Sequence, residues 1–264
     1  MAVNRWIASA AALAALGGCV VGPTERETKT LSYADFDSIN AHSGIDVVLK
    51  QGPFSVTAEA PKGELDKIII EKRGSTLDIG RKEEMQLFSF GIGRKFLVTV
   101  AAPTYTSIEV SGGADANIDP LKAEALTLRA HGGADVDLAG LAAARLTVSA
   151  SGGADVDAKG LQLGDVSSSS SGGGDVKFAG SCRTITIEAS GGGDFSGRDM
   201  RCGSATASAS SGGDVDIYVD GGAAVGSASG GGDVTFHGNP SSVQKTESGG
   251  GDVHAPDTAH PAPA

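Results

Sequence analysis

Apolar residues in the second half of the chain recur at fixed offsets within a unit of 19 or 20 residues. Each unit is marked by a Ser-Gly-Gly-x-Asp pattern. Its aspartates are Asp115, Asp135, Asp155, Asp175, Asp194, Asp214, Asp233 and Asp252. With the aspartate as position 0, position +1 is Ala116, Val136, Val156, Val176, Phe195, Val215, Val234 and Val253. Position +3 includes Ile118, Leu138, Phe178, Ile217 and Phe236. Position −9 includes Leu126, Leu146, Val166, Ile185 and Val243, and position −7 includes Ile108, Leu128, Val148 and Ile187. Position −5 is small, as in Ala130, Ala150, Ala189, Ala209 and Ala228. A period of two marks strands with one buried face. Two short strands per unit are predicted, at −9 to −5 and 0 to +4. Leu121, Leu141 and Leu161 at +6 add a further apolar position.

A unit this short cannot hold a strand and a full helix. It fits one coil of an all-β, single-stranded parallel β-solenoid (β-helix), whose equivalent strands stack about 4.8 Å apart. The second glycine of the turn is present in every copy: Gly113, Gly133, Gly153, Gly173, Gly192, Gly212, Gly231 and Gly250. The first is replaced only by Ser211, and the leading serine only by His131. A backbone that reverses at the same place in each coil needs positive φ, which glycine adopts without steric cost. Stacked turns are also expected to exclude side chains. Gly153→Val is therefore expected to cost several times more stability than Ala154→Val.

The units occupy 105–253. Before them, 31–104 holds most of the aromatics, including Tyr33, Phe36, Phe54, Phe88, Phe90 and Phe96, and alternating runs such as 45–49, 54–58, 76–79 and 96–100. It reads as an N-terminal β section that caps the open end of the solenoid. At the other end, 254–264 carries Pro256, Pro261 and Pro263 and is expected to be a disordered tail.

Residues 1–18 read as a secretory signal: Arg5, an apolar run from 6 to 16, then Leu16-Gly17-Gly18-Cys19. That ending resembles the lipobox of bacterial lipoproteins, which implies diacylglycerol on the Cys19 thiol and cleavage before it. Val20 follows Cys19 instead of the aspartate of inner-membrane retention, which points to the outer membrane. Residues 19–30 then read as a lipid-anchored tether. The solenoid would be exported and would stand in the periplasm or at the surface.

Phe36-Asp37-Ser38-Ile39, Gly44-Ile45-Asp46-Val47-Val48-Leu49, Gln51-Gly52 and Thr76-Leu77-Asp78-Ile79, followed by the Ser-Gly-Gly-Ala-Asp units, resemble the putative auto-transporter adhesin, head-GIN domain family. The resemblance covers about 31–253 and implies an extracytoplasmic parallel β-solenoid with an adhesin-like role.

Composition narrows the chemistry. Glycine supplies 40 of 264 residues without the three-residue period of collagen, and the 40% hydrophobic content argues against disorder. A net charge of −11 with no basic cluster excludes nucleic acid as a partner. The aspartates and position +2 (Asp137, Asp157, Asp216) point outward. Carboxylates about 5 Å apart repel by roughly 1 kcal/mol even in water. Backbone N–H groups of the turns would offset this. Weak calcium binding is the alternative, with Asp135, Asp137, Asp155 and Asp157 as the densest patch. No other cofactor is expected. The serine column is expected to satisfy itself and its turns, with glycan or ice binding as the alternative; threonine arrays are not evident. Cys182 and Cys202 lie 12 residues before Asp194 and Asp214, so they face each other in adjacent coils at disulfide distance. Free thiols or an incomplete metal pair are the alternatives. No Walker loop and no nucleophile triad can be argued, so no enzyme is expected. The functional expectation is a structural or adhesin-like role at the envelope, with a glycan or protein as partner. A cation- or polysaccharide-binding module is the second reading, and a glycoside-active β-helix a remote third.

Overall fold

The computed structural model describes residues 25–82 and 95–256. Residues 1–24, with the expected signal and Cys19, Phe88 and Phe90, and residues from 257 onward lie outside the described residues. The rest is all β apart from one short 3₁₀ turn, Leu65–Lys67.

The strands before the repeats are β1 (Arg26–Leu31), β2 (Ser38–Ala41), β3 (Asp46–Gln51), β4 (Ser55–Pro61), β5 (Ile68–Arg73), β6 (Thr76–Arg81) and β7 (Leu97–Ala102). The first repeat opens with β8 (Ser107–Ser111) and β9 (Asp115–Ile118). Stacking order differs from chain order. β2 pairs in parallel with β8 on one side and β6 on the other, and β3 likewise lies between β9 and β7. The chain therefore makes one coil, leaves to build the outermost layer, and returns beneath its own first coil.

That first coil is a ninth copy of the turn. Ser43 and Gly44 have φ of 61° and 66°, and Asp46 pairs with Asp115. Outside it the layer turns antiparallel: β5 on β6, β4 on β7, and β1 on β4. Residues 26–30 are thus not a tether. Thr28 and Thr30 face Glu59 and Thr57 across a regular ladder, because β4 would otherwise present an open edge.

The repeats stack in register. Leu121–His131 pairs with Leu141–Ser151, and three long strands follow: Asp155–Ser171, Asp175–Ser190 and Phe195–Ser210. Each long strand runs through the residues after its aspartate, then a middle segment, then −9 to −4 of the next unit; in Asp155–Ser171 these are 155–158, 161–163 and 166–171. The coil has three sides instead of the expected two strands. The extra side is the one signalled by Leu121, Leu141 and Leu161, all buried.

The predicted apolar columns form one continuous core. Bulk is traded between neighbours: Phe195 packs edge-on to Phe178 at 5.4 Å. Gly197 leaves room for it, since a Cβ there would lie 2.7 Å from the Phe195 ring. Tyr105 is buried at the cap junction, where its hydroxyl donates to the Lys50 carbonyl at 2.9 Å and the Val100 carbonyl at 3.2 Å. Burial pushes its phenol well above the ordinary tyrosine range.

The last coil closes the core with charge. Lys245 and Glu247 occupy columns that hold Ala207 and Ala209 two coils earlier. The Lys245 ammonium donates to the Val253 carbonyl at 2.7 Å, and Glu247 accepts from the Val253 N–H at 2.9 Å. Inward charges of this kind blunt an open edge. His254, expected in the tail, pairs with Thr235 in the short strand Val253–His254.

Candidate binding surfaces

The glycine turns work by φ at two positions and by space at a third. Gly152 and Gly153 have φ of 69° and 84°. A Cβ on Gly153 would meet nothing within 4 Å, so conformation and not crowding selects glycine there. Ser211, at φ 53°, shows that an L-residue can hold the first of the two positions. Crowding acts at position −1. A Cβ on Gly193 would lie 2.6 Å from the Ser171 nitrogen. Ala154, in the equivalent place, is fully buried. The expected contrast of Gly153→Val with Ala154→Val thus loses its steric basis, because a valine at 154 would overpack a closed site.

The aspartate column faces outward, as its alternation with the buried +1 residues requires, and divides in two. Asp155 and Asp175 donate their N–H groups to the carbonyls of Ala134 and Ala154 at 3.0 and 3.1 Å. From Asp194 onward the acceptor is the carboxylate of the previous coil. Asp194 donates to Asp175 Oδ1 at 3.0 Å, Asp214 to Asp194 at 2.8 Å, and Asp233 to Asp214 and Asp252 to Asp233 at 2.9 Å. Asp115 is pushed up from the ordinary carboxylate range, first by burial and then by Asp46 and Asp135, with Lys95 and the Asp135 backbone N–H opposing.

Asp135 stacks on Asp155 and Asp137 on Asp157. The Lys159 ammonium lies 3.2 Å from Asp157. Among the described residues no group of three or more His, Cys, Asp or Glu is arranged to hold a metal ion.

Cys182 and Cys202 are joined by a disulfide, with Cα atoms 4.5 Å apart, in a column that continues Leu163. The bond lies on the buried side of the third face; Cys202 is 1% exposed.

Three histidines each meet a carboxylate of another strand: His42 with Asp78 at 3.5 Å, His131 with Glu109 at 3.1 Å, and His237 with Asp216 at 2.5 Å. His42 Nδ1 is also 2.9 Å from Ser43 Oγ. Sequence reasoning did not bring these three residues together, since Asp78 arrives from the non-sequential layer. The Asp78 oxygen that faces His42 also accepts from Asn40 at 2.6 Å, and Arg73 lies 3.6 Å from its other oxygen.

The register does reveal a hydroxyl array. At position −8, Thr127, Thr147, Ser167, Thr186 and Thr206 stand one above another. Beside them run Ser149, Ser169, Glu188, Ser208 and Ser227, then Ser151, Ser171, Ser190, Ser210 and Ser229. One threonine-rich column is therefore present, contrary to the sequence expectation. It lies at the polar half of an alternation whose apolar half drew the eye. The columns form a flat lattice of about 4.8 by 6.6 Å on the long sheet face.

No curated protein matches the chain. Solved structures share the fold. A putative adhesin from Parabacteroides distasonis superposes with a TM-score of 0.76 at 20% identity, covering 89% of this chain and 98% of that one. A putative lipid binding protein from the same species gives 0.74 at 19% identity, and a putative adhesin from Parabacteroides merdae gives 0.73 at 19%, each with the same coverage. The family model for the putative auto-transporter adhesin, head GIN domain, matches residues 35–162 and 141–240. With most of the chain matched, and with the non-sequential first coil and all but the last of the repeated turns inside that span, the protein belongs to the putative auto-transporter adhesin, head GIN domain family.

Proposed function

We propose that the protein is a lipid-anchored solenoid of the bacterial cell envelope that binds an extended polysaccharide on its long hydroxyl-bearing face. The observation that carries this reading is the in-register lattice of Thr127, Thr147, Ser167, Thr186 and Thr206 with its two serine columns. Hydroxyls donate and accept, so a repeating polymer of hydroxylated units can be met at many points with small gain at each. Such a face suits avidity and not catalysis. The lipobox-like Leu16-Gly17-Gly18-Cys19 supplies the anchor, and Val20 favours the outer membrane.

Binding of the full chain to envelope and host glycans, with and without calcium, tests the reading. Retention of a polymeric glycan is expected. Thr186→Arg with Ser208→Arg should weaken it at least tenfold, while Gln162→Arg on another side should not. No retained glycan, or equal binding by all variants, overturns it. Calcium-dependent retention would favour the cation-binding alternative through Asp135, Asp137, Asp155 and Asp157. Incorporation of a labelled fatty acid that is lost in Cys19→Ala tests the anchor.

A further inference from the structure

The cap carries a feature that neither the repeats nor the hydroxyl face needs. Between β1 and β4 on one side and β5 on the other lies a half-open groove of about 210 Å³. Leu31, Leu65, Ile68 and Ile70 line it, each only partly buried. Tyr33 bridges its two walls by donating to the Ile70 carbonyl at 2.7 Å. Lys29 is its one charged lining residue. It is exposed and has no ion-pair partner among the described residues.

Partly buried apolar side chains packed on the core, beside a cation with no ion-pair partner among the described residues, suit an amphiphile with an anionic head. The volume matches about seven methylene-sized groups, taking ~30 Å³ as a water's share of liquid. The charge distribution agrees with such a ligand. The described residues of the cap, 25–82 and 95–104, hold ten acidic and ten basic side chains. The repeats, 105–256, hold nineteen acidic and nine basic. An anionic lipid surface repels the repeats far more than the cap. Six residues separate Cys19 from β1, a reach of about 25 Å at full extension. If Cys19 is anchored as proposed above, the groove stands at the membrane-facing end. Location alone rests on that reading; the lining does not.

We infer that the cap groove takes one acyl chain of a fatty acid from the adjoining membrane, with Lys29 meeting the carboxylate. The full chain in vesicles would be irradiated with a photoreactive fatty acid bearing a diazirine on its chain, and adducts mapped by peptide mass spectrometry. Adducts on peptides holding Leu31 and Ile68 to Ile70 are expected, displaced by excess unlabelled fatty acid. Ile70→Glu should lower them at least fivefold. Lys29→Glu, at an exposed position, should lower them about threefold, and should leave labelling by the matching fatty alcohol unchanged. Adducts spread evenly over surface peptides, or indifference to both substitutions, would overturn the proposal. So would labelling seen only after Phe88→Ala with Phe90→Ala, because the chain's own apolar residues would then be the occupant. The mass of the Cys19 peptide, read in the same spectra, reports the anchor separately, so either idea can fail alone.

Discussion

The coils that close on Ala114, Ala134 and Ala154 differ by one methyl group per turn from those that close on Gly174, Gly193, Gly213, Gly232 and Gly251. They use different bonds at the same corner. In the alanine coils the main chain carries the ladder, from Asp155 to Ala134 and from Asp175 to Ala154. In the glycine coils the carboxylate has taken over, from Asp175 through Asp233. One aspartate column thus has two physical roles. It is a structural acceptor in the second half of the stack. At Asp135 and Asp155 the carboxylates receive no N–H from the next coil. A repeat that looks uniform in sequence therefore need not be uniform in energetics.

The sharpest test concerns the disulfide, which staples the first two glycine-turn coils. It closes a 20-residue separation, for which chain entropy gives about 3 kcal/mol. Cys182→Ala with Cys202→Ala should lower the unfolding free energy by that amount in denaturant titration. Amide exchange should rise more in 195–254 than in 107–151. Equal loss of protection in both halves would remove the distinction between them.

Next in size is the crossed pair at position −1. Gly193→Ala drives a Cβ to within 2.8 Å of the Gly174 oxygen as well as onto Ser171, and should cost about 2 kcal/mol. Ala154→Gly opens a buried methyl and frees the unfolded chain, at about 1 kcal/mol. If the two costs were reversed under thermal melting, the steric account of the two turn types would fail.

The carboxylates themselves come third. Asp194→Ala removes the acceptor of the Asp214 N–H and should cost about 1.5 kcal/mol, the lower end for a charged acceptor because the site is exposed. Asp155→Ala removes no such bond and should stay within about 0.5 kcal/mol of the parent. Equal costs would show that the column has one role after all.

Much of this was legible in the chain. Period two and the recurring Ser-Gly-Gly-x-Asp gave the solenoid, and equal offsets from Asp194 and Asp214 placed Cys182 against Cys202. What escaped has physical reasons. His42-Ser43-Gly44-Ile45-Asp46 is a turn of the same kind, but its coil is separated from the next by the chain that builds the outer layer, so no fixed spacing exposes it. β1 reads as a polar tether because an edge strand on the surface needs no apolar period. Asp78 meets His42 only through that non-sequential layer. The hydroxyl columns were present in the letters, but only the register shows that they share one face. Lys245 and Glu247 look like ordinary surface charges until their columns are followed back to Ala207 and Ala209.

The smallest effect probes the alanine end of the column, where Asp115 is crowded by two other carboxylates. Asp115 has its pKa raised above 3.8 by burial first and by Asp46 and Asp135 next. A raised value in the folded state means that folding favours the neutral carboxyl. That favourable contribution is fully present below about pH 3.8 and is lost as pH climbs through the folded value. At neutral pH the charged group is therefore a cost that an amide would not bear. Asp115→Asn should raise the denaturant midpoint at pH 7 slightly, since solvent screens a partly exposed site. The gain should vanish on acidification below pH 3.8. Asp194→Asn should show no such gain, because its carboxylate holds the Asp214 N–H and benefits from its charge. A loss of stability in Asp115→Asn at pH 7, or an equal gain in Asp194→Asn, would mean that both halves of the stack treat their aspartates alike.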